Sequence, residues 1–115
     1  DQLQVSIHPS ASIGSSVFLD HATGIIIGAF AVIGDEVTIL QNVTVGREQA
    51  DPEHAPDIGR GVLLSAGSTI LGRVSVGEFA RIGAGAVVEH DVPAGCTAVG
   101  VPARLTNCPE PTLVA

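Results

Sequence analysis

Residues 27–46 read Ile27-Gly28-Ala29-Phe30-Ala31-Val32-Ile33-Gly34-Asp35-Glu36-Val37-Thr38-Ile39-Leu40-Gln41-Asn42-Val43-Thr44-Val45-Gly46. An aliphatic residue returns every six positions, at Ile27, Ile33, Ile39 and Val45. A small or β-branched residue follows four positions later, at Ala31, Val37 and Val43. Gly28, Gly34 and Gly46 come directly after three of the aliphatics. A period of six matches neither a helix nor a simple alternating strand. It is one short strand plus one turn, the mark of a parallel β-helix of hexapeptide units. Three units close one triangular coil of about 18 residues. Stacked coils then lie about 4.8 Å apart, like neighbouring strands. The aliphatic position points inward, the small one fits the corner, and glycine serves where the backbone turns with φ > 0.

The pattern extends in both directions. Upstream it gives Ile7, Ile13 and Leu19, with two extra residues, Ile25 and Ile26, before Ile27. The matching small positions are Ala11, Val17 and Thr23. Downstream it resumes as Ile58, Leu64, Ile70, Val76, Ile82 and Val88. Between the two runs, residues 46–57 are polar, contain Pro52 and Pro56, and read as a loop extruded from a regular scaffold. Residues 100–115 read as an irregular tail. The expectation is one β-helical domain over 1–115, with about four to five coils.

Composition agrees. Among 115 residues there are three Phe and no Trp, Tyr or Met. A core of Val, Ile and Ala suits the narrow, uniform interior of a solenoid, where each repeat packs only on its neighbours. The net charge is −7 and the cations are five scattered arginines, at 47, 60, 73, 81 and 104, which argues against nucleic acid or an anionic membrane as partner. No apolar run is long enough to span a bilayer and no signal peptide is visible, so a cytoplasmic location is expected. The chain opens on Asp1 rather than Met, so residues upstream are expected. Cys96 and Cys108 have no metal-ligand spacing and are expected as two free thiols.

Several stretches resemble serine O-acetyltransferases. They are Ile7-His8-Pro9-Ser10-Ala11, Leu19-Asp20-His21-Ala22-Thr23-Gly24-Ile25, Ile39 to Gly46, Ala66-Gly67-Ser68-Thr69-Ile70-Leu71-Gly72, and Val99-Gly100-Val101-Pro102-Ala103. The resemblance implies the catalytic domain of that family: an all-β, left-handed parallel β-helix. It also implies acetyl-CoA as donor, L-serine as the acceptor of cysteine biosynthesis, and a homotrimer with active sites between subunits. His21 corresponds to the general base and Asp20 to an acid that contacts the acceptor. His54 best matches a loop histidine contributed by the neighbouring subunit. Gly46, Ala66, Gly67, Arg81 and Ala84 match the run that binds CoA. Taken alone, an outward histidine on a β-helix corner is an ordinary surface residue; its matched surroundings select the catalytic reading for His21.

The chemistry suits those residues. A hydroxyl must lose its proton as it attacks a thioester carbonyl, and imidazole can take that proton and pass it to the departing thiolate. Backbone N–H groups along the coil can hold the oxyanion and the pantetheine arm. The chain also departs from the family. Ser6 replaces the aspartate that orients the histidine, leaving only a hydroxyl on the substrate side. The loop begins Gly46-Arg47-Glu48-Gln49, and Glu53 stands where the family has the arginine that pairs with the substrate carboxylate. Arg47 reads either as a solvated loop residue or as a replacement ligand for an acceptor anion. These residues carry no match to the family's helical domain, and the ending Leu113-Val114-Ala115 lacks the isoleucine that docks onto the sulfhydrylase, so that complex is not expected. Other readings of the same architecture are a sugar or other small-molecule O-acetyltransferase and a non-catalytic trimeric scaffold. A zinc enzyme of the γ-carbonic anhydrase type is disfavoured: it requires three convergent histidines, and His8, His21 and His54 are spaced wrongly for that. No metal is expected.

Overall fold

The computed structural model describes residues 4–109, and these wind into a parallel β-helix with three faces. The first face holds β1 (Gln4–Ile7), β4 (Thr23–Ile27), β7 (Thr44–Val45), β10 (Thr69–Ile70) and β13 (Val87–Val88). The second holds β2 (Ser12–Ile13), β5 (Val32–Ile33), β8 (Asp57–Ile58) and β11 (Ser75–Val76). The third holds β3 (Phe18–Leu19), β6 (Thr38–Ile39), β9 (Leu63–Leu64), β12 (Arg81–Ile82), β14 (Thr97–Val99) and β15 (Arg104–Thr106). The chain visits the faces in rotation, so successive turns stack into three edges. Edge one joins the third face to the first, edge two the first to the second, and edge three the second to the third.

The hexad aliphatics form the core. Ile27 pairs with Val45, Val45 with Ile70, and Ile70 with Val88, giving one buried inward column on the first face. Ile33, Ile58 and Val76 form the column of the second face, and Ile39, Leu64, Ile82 and Ala98 that of the third. Burying each such aliphatic side chain contributes about 1.5–3 kcal/mol before chain entropy is counted. Ile7 and Ile13 occupy the same inward position yet stay 45% and 42% exposed, because no coil lies beyond the first among the described residues. On edge three, Arg60 donates to Glu36 Oε1 at 3.1 Å and lies over the Phe79 ring; the adjacent carboxylate raises its pKa.

The extruded loop leaves β7 at Gly46, passes through a 3-10 turn at Pro52–His54 and re-enters at β8. Its root rests on the coil below: Ala29 N–H donates to Arg47 O at 2.9 Å, and a Cβ on Gly28 would collide with the Arg47 backbone. Only glycine permits that approach.

Three expectations are corrected. The two extra residues do not lie at Ile25 and Ile26. Those residues continue β4, with Ile25 buried at the corner position expected for Thr23, which is exposed. The tail is not wholly irregular, since β15 pairs antiparallel with β14, Val99 opposite Arg104 and Thr97 opposite Thr106. Cys96 and Cys108 are not free thiols; the return of β15 brings them together and they form a disulfide. Leu113, Val114 and Ala115, on which the sulfhydrylase expectation rests, lie outside the described residues.

Candidate functional site

The extra residues sit in the turn that carries the acid–histidine pair. Leu19 pairs with Ile39 and Ile26 with Thr44, so six residues (20–25) span on edge one what four (40–43) span in the next coil. One left-handed residue recurs in each turn of this edge and stacks coil on coil: Gly24 (φ 69°), Asn42 (60°), Gly67 (73°) and Gly85 (70°). The widened turn adds a second, His21, at φ 52°. Histidine is among the non-glycine residues that tolerate this region, which Ser16, Phe30, Glu36, Asn42 and Phe79 also adopt at other corners of the coil. Thr23 N–H closes the bulge on His21 O at 2.6 Å.

The bulge pushes the imidazole into the open. The His21 side chain is 78% exposed, and its Nε2 lies 3.6 Å from Asp20 Oδ1, an ion pair when the ring is protonated. That separation is too long for a hydrogen bond, which leaves both ring nitrogens free to engage a substrate.

Ala66, Gly67 and Ala84 stack on the same edge, one and two coils beyond Gln41. The glycines in the left-handed position donate across the coils, Gly67 N–H to Gln41 O and Gly85 N–H to Ala66 O, each at 2.9 Å. The N–H groups of Ala66 and Ala84 have no backbone acceptor among the described residues. A Cβ at Gly85 would meet nothing within 4 Å, so the backbone here borders open space. The result is a row of available donors one strand spacing apart, suited to the amide carbonyls of an extended ligand. Arg81 projects outward from β12, which leads into this edge.

The loop candidates lie elsewhere. Gly46, Arg47 and His54 belong to edge two, across the width of the first face from His21. His54 Nδ1 is 3.6 Å from Asp51 Oδ2, and a cleft of about 460 Å³ separates this part of the loop from Leu71 and Glu89, with Arg47 on its wall. Glu53 faces a different cleft, of about 570 Å³, together with Arg73, Asp57 and Asp91. Ser6 sits outward on β1 opposite Ile26 and lines a cavity of about 210 Å³ with His8 and Glu48. Among the described residues no hydrogen bond joins Ser6 to His21. One chain therefore gathers Asp20, His21, Ala66, Gly67 and Ala84 on one edge, with Arg81 beside them. It gathers Gly46, Arg47 and His54 on another, and does not bring the two sets together.

His8 is a corner brace. Its Nδ1 accepts from Ser10 N–H at 3.1 Å and meets Ser10 Oγ at 2.8 Å, while Phe30 N–H donates to that same oxygen at 3.0 Å. Among the described residues no group of three or more His, Cys, Asp or Glu side chains is placed to hold a metal ion. The sequence named Ala66 and Ala84 and led to the expectation of backbone donors along the coil, but not which N–H groups are left without a backbone acceptor; each lies just before a left-handed glycine.

Comparison with known proteins places this geometry. Residues 55–90 match the family model of the bacterial transferase hexapeptide (six repeats). The chain is 51% identical over 107 residues to a serine acetyltransferase of Salmonella typhimurium, covering 92% of this chain and 39% of that protein. It is 58% identical over 102 residues to a probable serine acetyltransferase of Oryza sativa, covering 88% and 34%. The soybean serine acetyltransferase complexed with serine superposes with a TM-score of 0.84 at 52% identity, over 89% of this chain and 42% of that one. A serine acetyltransferase in complex with CoA superposes with a TM-score of 0.82 at 47% identity, over the same shares. The chain thus spans about two fifths of the length of the relatives it matches.

Proposed function

The chain belongs to the serine acetyltransferase family, of which it carries the β-helical part, and we propose that it moves an acetyl group from acetyl-CoA to the hydroxyl of L-serine. The observation that carries this reading is the widened turn. It spends two residues and a left-handed histidine to project one imidazole beside Asp20, at the end of a row of unpaired backbone donors. His21 takes the hydroxyl proton as the oxygen attacks the thioester carbonyl. Collapse of the tetrahedral intermediate breaks the C–S bond, and the imidazolium returns the proton to the CoA thiolate. Asp20 contacts the acceptor and stabilises the transient imidazolium. Ala66, Gly67 and Ala84 hold the pantetheine arm through backbone groups, and Arg81 meets the phosphates.

His54, Arg47 and Gly46 complete the site from a second chain. Their place on edge two supports a cyclic homotrimer in which edge two of one subunit faces edge one of the next. The cell interior, where such a thioester is at hand, is the proposed location. The product, O-acetylserine, would feed cysteine biosynthesis.

One feature supports a different acceptor. The loop presents Glu48, Asp51 and Glu53, all exposed, against a single cation, Arg47. Such a loop disfavours a carboxylate, so an amino alcohol or a sugar hydroxyl is the second reading. The test is release of CoA thiol with serine, serinamide and sugar acceptors. Preference for serine, lost in Arg47→Ala, establishes the first reading; preference for serinamide establishes the second; no release with any acceptor refutes both.

A further inference from the structure

The last coil carries a covalent feature that acetyl transfer does not use. Cys96 fills a small corner position of the core, 2% exposed, and is bonded to Cys108 in the exposed stretch after β15. The two are 12 residues apart, and between them lie β14, the turn at 100–103 and β15. All three residues of β15 are exposed, and β15 pairs with β14 alone. Pro109 closes over Gly95, where an added Cβ would come within 2.6 Å of its ring. The segment is thus a flap held by a short ladder at one end and a sulfur–sulfur bond at the other.

The flap borders the donor groove, and here the argument rests on the acetyl-CoA reading above. Val87 N–H donates to Gly100 O at 3.1 Å and Ala103 N–H to Val87 O at 2.9 Å, so the turn at 100–103 continues edge one beyond Gly85. Register places Arg104 opposite Val99 and Arg81 opposite Thr97. Ile82, Ala98 and Leu105 take the inward positions, so both guanidinium side chains stand on the outer side of the third face. They are two of the five cations in a chain of net charge −7. A reducing cell interior keeps most thiols reduced, so a bond whose outer sulfur is reachable from solvent is subject to exchange there.

We propose that Cys96–Cys108 is a reversible thiol–disulfide site, opened by a dithiol, that latches β15 and Arg104 against the donor groove. One thiolate of the dithiol attacks Cys108 Sγ, the sulfur–sulfur bond breaks, and Cys96 leaves as a thiolate that takes up a proton. The second thiol of the reductant displaces Cys108, which is protonated in turn. The dithiol becomes a cyclic disulfide, and two electrons and two protons have passed to the protein. The freed flap loses its anchor, and Arg104 no longer holds its place on the outer side of the third face.

The test compares oxidised protein, protein reduced with dithiothreitol, and Cys108→Ser. Hydrogen exchange by mass spectrometry reads the flap without any reference to activity. Acetyl-CoA turnover is followed by loss of thioester absorbance, and CoA binding by calorimetry. Reduction should speed exchange at Arg104–Thr106 and raise the KM for acetyl-CoA and the Kd for CoA by about two- to fivefold, the worth of one exposed cation–anion contact. The KM for the acceptor and kcat should hold. Cys108→Ser should match the reduced protein and ignore dithiothreitol. Unchanged exchange overturns the latch even if the enzyme is fully active. Faster exchange with unchanged CoA affinity overturns its coupling to the donor. Faster exchange in a protein that binds no CoA sinks the acetyl-transfer reading, and with it the coupling, while leaving the latch itself standing.

Discussion

His21 and His54 lie on different edges of one chain, and this makes a quantitative prediction about mixed assemblies. Two variants are needed, His21→Ala and His54→Ala. If each histidine acts in proton transfer or acceptor positioning, each pure variant should retain about one hundredth to one ten-thousandth of wild-type turnover. In a cyclic trimer every site lies at a junction, with His21 from one subunit and His54 from the next. Random co-assembly of equal amounts makes roughly three quarters of the trimers mixed. Around each mixed ring one junction of the three joins an intact His21 to an intact His54. About a quarter of wild-type activity should therefore return from two preparations that are each nearly inert.

The assay is thiol release from acetyl-CoA after the two variants are denatured together and refolded as a mixture. Variants refolded separately and then combined form the baseline. A second mixture sharpens the result: wild type with the doubly substituted chain should give about a quarter of full activity if sites are shared, against about a half if each chain carries its own. A co-refolded pair that stays at baseline while wild type recovers would refute the reasoning. It would mean that the loop reaches His21 of its own chain, or that His54 takes no part.

Further outcomes follow from single residues. Ser6→Asp should raise kcat, because it restores the carboxylate that the family resemblance assigns to orienting the histidine; an equal or lower kcat in steady-state kinetics would show that another group orients His21. Ser68 is fully buried in the corner column and its Oγ has no partner among the described residues, so Ser68→Ala should raise stability by about 1 kcal/mol, the lower end of the cost of an unsatisfied buried polar group. A fall in the denaturant midpoint would show that the hydroxyl is bonded. Glu53→Arg should lower the KM for serine while leaving serinamide unchanged, since only serine offers a carboxylate; equal shifts for both would remove the loop from acceptor recognition. Asn42→Gly should leave the fold intact, because φ 60° at that position suits glycine at least as well, whereas Asn42→Val should lower the melting temperature.

The sequence declared the β-helix because every coil repeats one demand, an inward aliphatic at a fixed interval, and each repetition adds to the signal. It could not locate the two extra residues of the second coil, and the reason is geometric. Successive strand residues point to opposite sides, so inserting two residues restores the alternation wherever they go. Ile27 faces inward whether the pair lengthens β4 or widens the turn before it. Only the pairing of Leu19 with Ile39 and of Ile26 with Thr44 puts the excess in the turn, and so beside the catalytic candidate. The antiparallel β15 was hidden for the opposite reason: three exposed residues that pair on one side carry no period at all. The cysteines were misread with it, since nothing in their separation shows that the chain reverses between them. In both cases the unread structure departs from the repeat, and a repeat specifies only what its neighbours share. Chemistry needs the opposite, a group unlike those stacked above and below it. The place where this coil breaks its own rule, the widened turn at His21, is therefore where a site is most economically built, at a cost confined to a single turn.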